Sequence, residues 1–252
     1  MKNFDELLSK GDLPRQQRTS CKDLWNAFMV EGATFSSHDI PLCPTYFPSG
    51  LPKELISFAE AKTLYNREIR SGNSDFHHDA FIHFYCDDQL FDSVHNSIWL
   101  FPEKALAVIR HFKGIITPDF STYSDFPDPI KRYNTYRMRA FGYWCKSMNI
   151  PVINNVRWGT PETWKYCFDG IERNSVICIG TVASGLRELE NRADFDEGFH
   201  EMIRILTPET IIVYGSSRYE VFKEVQKIGI EIIPYMSQTN AAHQIRKGGD
   251  KP

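Results

Sequence analysis

Short apolar runs alternate along this chain with longer stretches whose apolar positions recur every three or four residues. The runs rich in Ile and Val fall at 81–86, 114–118, 152–155, 176–180, 211–214 and 230–234. Being short and nearly continuous, they suit strands of a parallel sheet covered on both faces. Between them, 102–112, 129–148, 194–206 and 217–228 carry helical periodicity. An earlier stretch opens at Pro52, spaces Leu55, Phe58, Ala59, Lys62, Leu64 and Ile69 in a loose helical pattern, and stops at Ser71, Gly72 and Asn73. Weaker strand signals at Ile40–Cys43, hemmed by Pro41, Pro44 and Pro48, and near Trp99 bring the strand count to seven or eight.

Strands alternating with helices predict an α/β fold, a mostly parallel sheet with helices on both faces. Two architectures satisfy the pattern: a small or incomplete (β/α) barrel and an open doubly wound sheet. Polar residues follow nearly every apolar run instead of gathering at one crossover, which favours the barrel-like form. Asp128 before Pro129 and Thr160 before Pro161 mark helix starts, each a capping residue with proline at the first helical position. Ser217 and Glu220 have capping-box spacing, and Gly229 closes the last helix. Residues 25–236 read as a single α/β domain. Residues 1–24 read as a polar, partly mobile lead-in, whose Arg15, Arg18 and Lys22 leave open a nucleic-acid arm. The tail 237–252 is polar and reads as disordered.

Composition narrows the classes. Hydrophobic residues make up 42% of 252 and charged residues 24%, ordinary for a globular protein able to bury a substantial core. A net charge of −3 and a pI near 6.2 supply no global attraction to nucleic acid or membrane, so DNA binding is disfavoured. No apolar run reaches the ~20 residues of a membrane helix. Asp5 and Glu6 beside Leu7 and Leu8 do not make a signal peptide. The six cysteines, at 21, 43, 86, 145, 167 and 178, form no CxxC and no zinc spacing with histidine, which predicts reduced thiols in a cytoplasmic protein. The 13% aromatic content hints at a ligand or partner surface.

In either architecture, ligands gather at the carboxyl ends of the strands. Those ends carry Asp87 and Asp88; Asp119; Asn154, Asn155, Arg157 and Trp158; Thr181 and Ser184; Tyr214, Ser216 and Ser217. Asp119, set directly after an apolar strand and Pro118, is the strongest acid/base candidate, with Asp87 and Asp88 beside it. Paired carboxylates also suit Mg²⁺, and the cofactor stays otherwise unnamed. Ile130, Tyr133, Arg137, Phe141, Trp144 and Met148 follow helical steps, so Arg137 falls on the apolar stripe and needs a partner, Asp119 or another strand-end carboxylate, unless it serves as a ligand-binding anion clamp. Arg157 can grip a phosphate while Trp158 stacks on a base or sugar. Asn154, Thr181, Ser184 and Ser216 complete the candidate ligand set. Structural readings compete at each position: turn capping for Asp87, Asp88 and Ser217, an ion pair for Arg137, a roof over the core for Trp158.

Several chemistries are excluded. Gly180 to Gly185 has the gap of a phosphate loop, but Leu186 and Arg187 stand where Lys and Ser/Thr are required. The run Asp119, Ser121, Tyr123, Asp125 lacks the glycine and glutamate of a calcium loop. His77, His78 and His83 form no metal-binding pattern, and neither a G-x-S-x-G elbow nor a G-x-G-x-x-G turn occurs.

Phe112-Lys113-Gly114 leading to Pro118-Asp119-Phe120-Ser121, then Asn134-Thr135-Tyr136-Arg137 with Arg139, Trp158, and Phe168-Asp169-Gly170 together carry a resemblance. The chain from about Trp25 to Tyr235 resembles a domain-of-unknown-function family of phages and mobile elements of Gram-positive bacteria. The resemblance implies a phage or mobile-element accessory protein working in the bacterial cytoplasm, and assigns no catalytic role to any residue. Two functions follow for testing. One is an enzyme or binder acting on an anionic ligand, a nucleotide or nucleic-acid fragment. The other is a non-catalytic protein that binds a host or defence component through Tyr123, Phe126 and Trp158.

Overall fold

The computed structural model describes residues 25–182, 186 and 188–237. Seven strands and six helices alternate: β1 (Leu55–Ser57), α1 (Phe58–Arg70), β2 (His78–His83), α2 (Pro102–Ile109), β3 (Phe112–Ile116), α3 (Asp128–Ser147), β4 (Val152–Asn155), α4 (Trp164–Cys167), β5 (Val176–Gly180), α5 (Leu189–Leu206), β6 (Thr210–Tyr214), α6 (Glu220–Lys227) and β7 (Glu231–Tyr235). The strands lie in sequence order, every pair parallel, and curl into a half-barrel.

Sequential order has a geometric consequence. Right-handed crossovers between successive neighbours all fall on one side of the sheet. Accordingly Ile82, Ile115 and Val152 pack with Phe58, Leu106, Phe141 and Trp144 of α1 to α3. Ile177, Ile179, Ile211 and Val213 pack with Phe199, Met202, Phe222 and Val225 of α5 and α6. The opposite, concave face holds Phe81, Ile116, Ile153, Cys178 and Ile212, joined by Phe47, Leu51 and Leu55 and by no helical side chain among the described residues. The second face, where further helices were expected, is thus covered by the sheet's own curl and the segment ahead of β1.

The curl requires small residues opposite large ones. Gly114 is in register with Phe81, and a Cβ there would lie 2.6 Å from the Phe81 ring. Gly180 makes the same room for Tyr85, whose ring a Cβ would approach to 2.5 Å. Across the remaining gap, the Tyr235 hydroxyl donates to the Pro52 carbonyl, bringing the end of β7 to the lead into β1.

Most expected elements lie within a few residues of their predicted places, with three differences. Leu55–Ser57, assigned above to a helix from Pro52, is the first strand; Ser57 and Glu60 form a reciprocal capping box, so the helix starts only at Phe58. Ile40–Cys43 is no strand but a crossing segment held by single bridges, Phe35 to Pro41 and Tyr46 to Val152. Trp99 lies in a turn, packed on Tyr133 and Tyr136. The last long helix before β7 is capped at Tyr219 without a side-chain bond, so Ser217 and Glu220 make no capping box there. The lead-in with Arg15, Arg18 and Lys22, and the tail from 238, lie outside the described residues.

Candidate functional site at the carboxyl rim

Parallel strands put all their carboxyl ends on one rim, and five side chains gather there. Inward-facing positions alternate along a strand. On β4 these are Ile153 and Asn155, because Ile153 is in register with Ile116 of the inner cluster. Asn155 is fully buried and acts as the junction. Its Oδ1 accepts from the Tyr85 hydroxyl at 2.9 Å, and its Nδ2 donates to Asp119 Oδ1 at 2.8 Å. Asp119 Oδ2 in turn accepts from Arg157 Nη1 at 2.8 Å. Asp88 joins from the β2 side, where it accepts from both the backbone N–H (3.1 Å) and the hydroxyl (2.9 Å) of Ser121.

This chain of bonds sets the charges. Asp119 is only 8% exposed, and its negative charge holds Arg157 above the ordinary arginine range. Burial raises the Asp88 carboxyl above its usual value; the Ser121 bonds oppose the shift, and the Asp119 charge adds to it. Cys86 is pushed up to about 12 by burial and then by the charges of Asp119 and Asp88, so its thiol stays protonated and is a poor nucleophile. Tyr85 is likewise raised by burial and works as a neutral donor.

Beside the cluster opens a cleft of about 600 Å³, within the ordinary range for small-molecule sites. Arg157 lies on its wall with 31% of its side chain exposed. Tyr123, Trp158, Trp164 and Phe195 supply aromatic surface; Thr122, Ser124 and Thr160 supply hydroxyls; Asn191, Asp194 and Glu197 of α5 also line it. Trp158 also packs on Phe195, with ring centroids 5.0 Å apart, and lies against Gly198, where a Cβ would meet the indole nitrogen at 2.2 Å. It is both roof and cleft wall.

The other candidates separate. Asp87 is exposed and caps the short turn 88–90, accepting from the Gln89 N–H at 3.1 Å. Asn154 points to the helical face, where its amide donates to the Cys43 carbonyl at 2.6 Å. Arg137 pairs with Asp92 at 2.7 Å, not with Asp119, and stacks 3.8 Å from the Phe120 ring centroid. Thr181 donates to the Ser216 carbonyl at 3.0 Å, tying the ends of β5 and β6 on the same rim. Ser184 lies outside the described residues.

Sequence reasoning passed over Tyr85, and it placed Asn155 at a strand end without choosing it; strand parity would have selected Asn155 over Asn154. The α5 residues carried no local signal. Among the described residues, no group of three or more His, Cys, Asp or Glu side chains is arranged to hold a metal ion. No described helix is long and apolar enough to cross a membrane.

A family model described as a domain of unknown function (DUF4417) matches residues 34–236, a span covering the whole sheet and the cleft. The Gene 1 protein of Mycobacterium phage D29 is 33% identical over 139 residues, 55% of this chain and 49% of that protein. The Gene 1 protein of Mycobacterium phage L5 is 31% identical over 138 residues, 55% of this chain and 58% of that protein. The chain thus spans about half the length of the curated relatives it matches. No solved structure matches it.

Proposed function

The chain belongs to the DUF4417 family, and from that premise we propose a phage-associated ligand-binding protein whose rim cleft takes a nucleotide-class anion. One observation carries the reading: Arg157, the cation on the cleft wall, is held in place by a relay running back through Asp119 and Asn155 to Tyr85 in the half-barrel interior. A guanidinium pinned at one nitrogen keeps a planar face of further donors for a phosphate. Aromatic walls beside it give a base or sugar its stacking surface. The five described cysteines are all free thiols, which fits the host cytoplasm.

Thermal denaturation with mononucleotides and with inorganic phosphate tests the reading. Saturation near 100 times Kd adds about 2.7 kcal/mol of stability. The stabilisation should vanish in Arg157→Gln while that variant still unfolds cooperatively. Indifference to every nucleotide, or an unchanged response in Arg157→Gln, refutes it. A second reading, a contact face for a host protein, rests on the 56% exposed Tyr123 stacked edge-on against Phe126. Tyr123→Ala abolishing copurification with one host protein, without any nucleotide effect, would replace the first.

A further inference from the structure

Lys131 is only 5% exposed, yet its ammonium forms no ion pair among the described residues. It donates instead to two uncharged oxygens, the Ser124 carbonyl at 2.9 Å and the Thr160 hydroxyl at 3.3 Å. Burying a cation without a counter-charge is costly. Lys131 is also the fourth residue of α3, near the positive end of the helix dipole, where carboxylates are favoured and cations are not. Burial and the dipole both oppose a lysine here, so its reason lies in what the two bonds join. Ser124 belongs to the loop after β3 and Thr160 to the loop after β4, and both line the rim cleft.

The first loop carries Tyr123 of the cleft wall, the second Arg157 and Trp158. They already touch where a Cβ on Gly159 would lie 3.0 Å from the Thr122 carbonyl oxygen. The Thr160 hydroxyl also bonds the Glu162 carboxylate and holds it below its usual range, which gives the hydroxyl proton to Glu162 and leaves a lone pair for the ammonium. Farther along α3, Asn134 donates to the Ser121 carbonyl at 2.5 Å and the fully buried Arg139 to the Asn155 carbonyl at 2.9 Å, so one helix grips both segments from several points. We propose that Lys131 is a positioning residue that clamps the loops after β3 and β4 together and thereby fixes the walls of the cleft. Its effect on ligand affinity rests on the nucleotide reading above, whereas the clamp itself does not.

Lys131→Met keeps the apolar stem and removes the ammonium. Ser124 is exposed, so its carbonyl can turn to water, and the urea midpoint of the variant should match or exceed that of the unaltered chain. The Phe126 and Gly159 amides are bonded locally, to the Tyr123 carbonyl and the Thr163 hydroxyl. In native-state hydrogen exchange both should exchange roughly tenfold faster in the variant, while the amides of β4 and β5 stay as they were. Thr160→Val, which removes the other end of the bond, should speed the same two amides. Isothermal titration with AMP and with inorganic phosphate should show binding weakened roughly tenfold in Lys131→Met. Unchanged loop exchange overturns the clamp. A lowered urea midpoint with faster exchange throughout the sheet makes Lys131 a residue of the fold alone and overturns it too. Faster loops with unaltered affinity overturn its effect on the cleft. An unaltered chain that binds neither AMP nor phosphate, with the loop amides responding as stated, overturns the nucleotide reading and leaves the clamp standing.

Discussion

His83 lies in the half-barrel interior beneath the rim, 1% exposed, its ring centroid 4.0 Å from that of Tyr214 and its Nδ1 accepting from the Tyr85 N–H at 3.1 Å. Burial lowers its pKa from 6.5 to about 4, slightly offset by Glu60. The sign follows from which state protonates first. As pH falls, the unfolded chain takes up the proton near 6.5, whereas the folded chain resists until about 4. The stability contribution is therefore fully present above 6.5 and is lost progressively towards 4. Between pH 7 and pH 5 these values imply a loss of roughly 2 kcal/mol from this residue alone. His83→Asn keeps a side-chain oxygen for the Tyr85 N–H but cannot titrate. It should be less stable at pH 7, through the lost ring, yet fall less steeply. Urea unfolding of both proteins at pH 7, 6 and 5 yields the difference in slope, from which other titrating groups cancel. The His83 ring resonance, followed by NMR in the intact protein, should titrate near 4. Parallel stability curves, or a ring midpoint near 6.5, would show that the interior is wet and that the reasoning is wrong.

Two further outcomes concern the packing around the site. Asp119→Ala removes the acceptor of the fully buried Asn155 amide and the counter-charge of Arg157. Because Arg157 is partly exposed, the cost should be about 3 kcal/mol rather than the upper limit for buried pairs. Asp119→Asn, which keeps an acceptor, should cost less in chemical denaturation, and equal losses would contradict the relay. Gly142→Ala improves helix propensity by about 1 kcal/mol. Its Cβ would nevertheless lie 2.5 Å from Thr117 Cγ2 and 2.7 Å from the Cys43 sulfur, and overpacking of ~1–3 kcal/mol should win. A more stable Gly142→Ala would show that α3 has slack against the sheet.

The local rules carried far where side chains act through their neighbours in sequence. Apolar runs at 152–155 and 176–180 are the strands β4 and β5 to the residue. Asp87 was open to a capping reading because a cap needs only the next two residues. β1 was missed because three residues are too few for a period, and the capping-box pair Ser57 and Glu60 was the available correction.

Strand order, strand parity and long-range partners are different in kind, because each depends on residues far away along the chain. The amino-acid pattern alone determined an α/β chain with parallel strands and polar rims, since periodicity and burial are coupled residue by residue. Only the tertiary structure decided that the strands run in sequence order, which sends every crossover to one face and leaves the other to close on itself. It turned Asn155, not Asn154, towards Asp119; gave Arg137 to Asp92; and put residues of α5 in the lining of the same cleft as Arg157. Those pairings join positions up to 45 residues apart. They are set by the curl of the sheet, which nothing in a short stretch of sequence encodes.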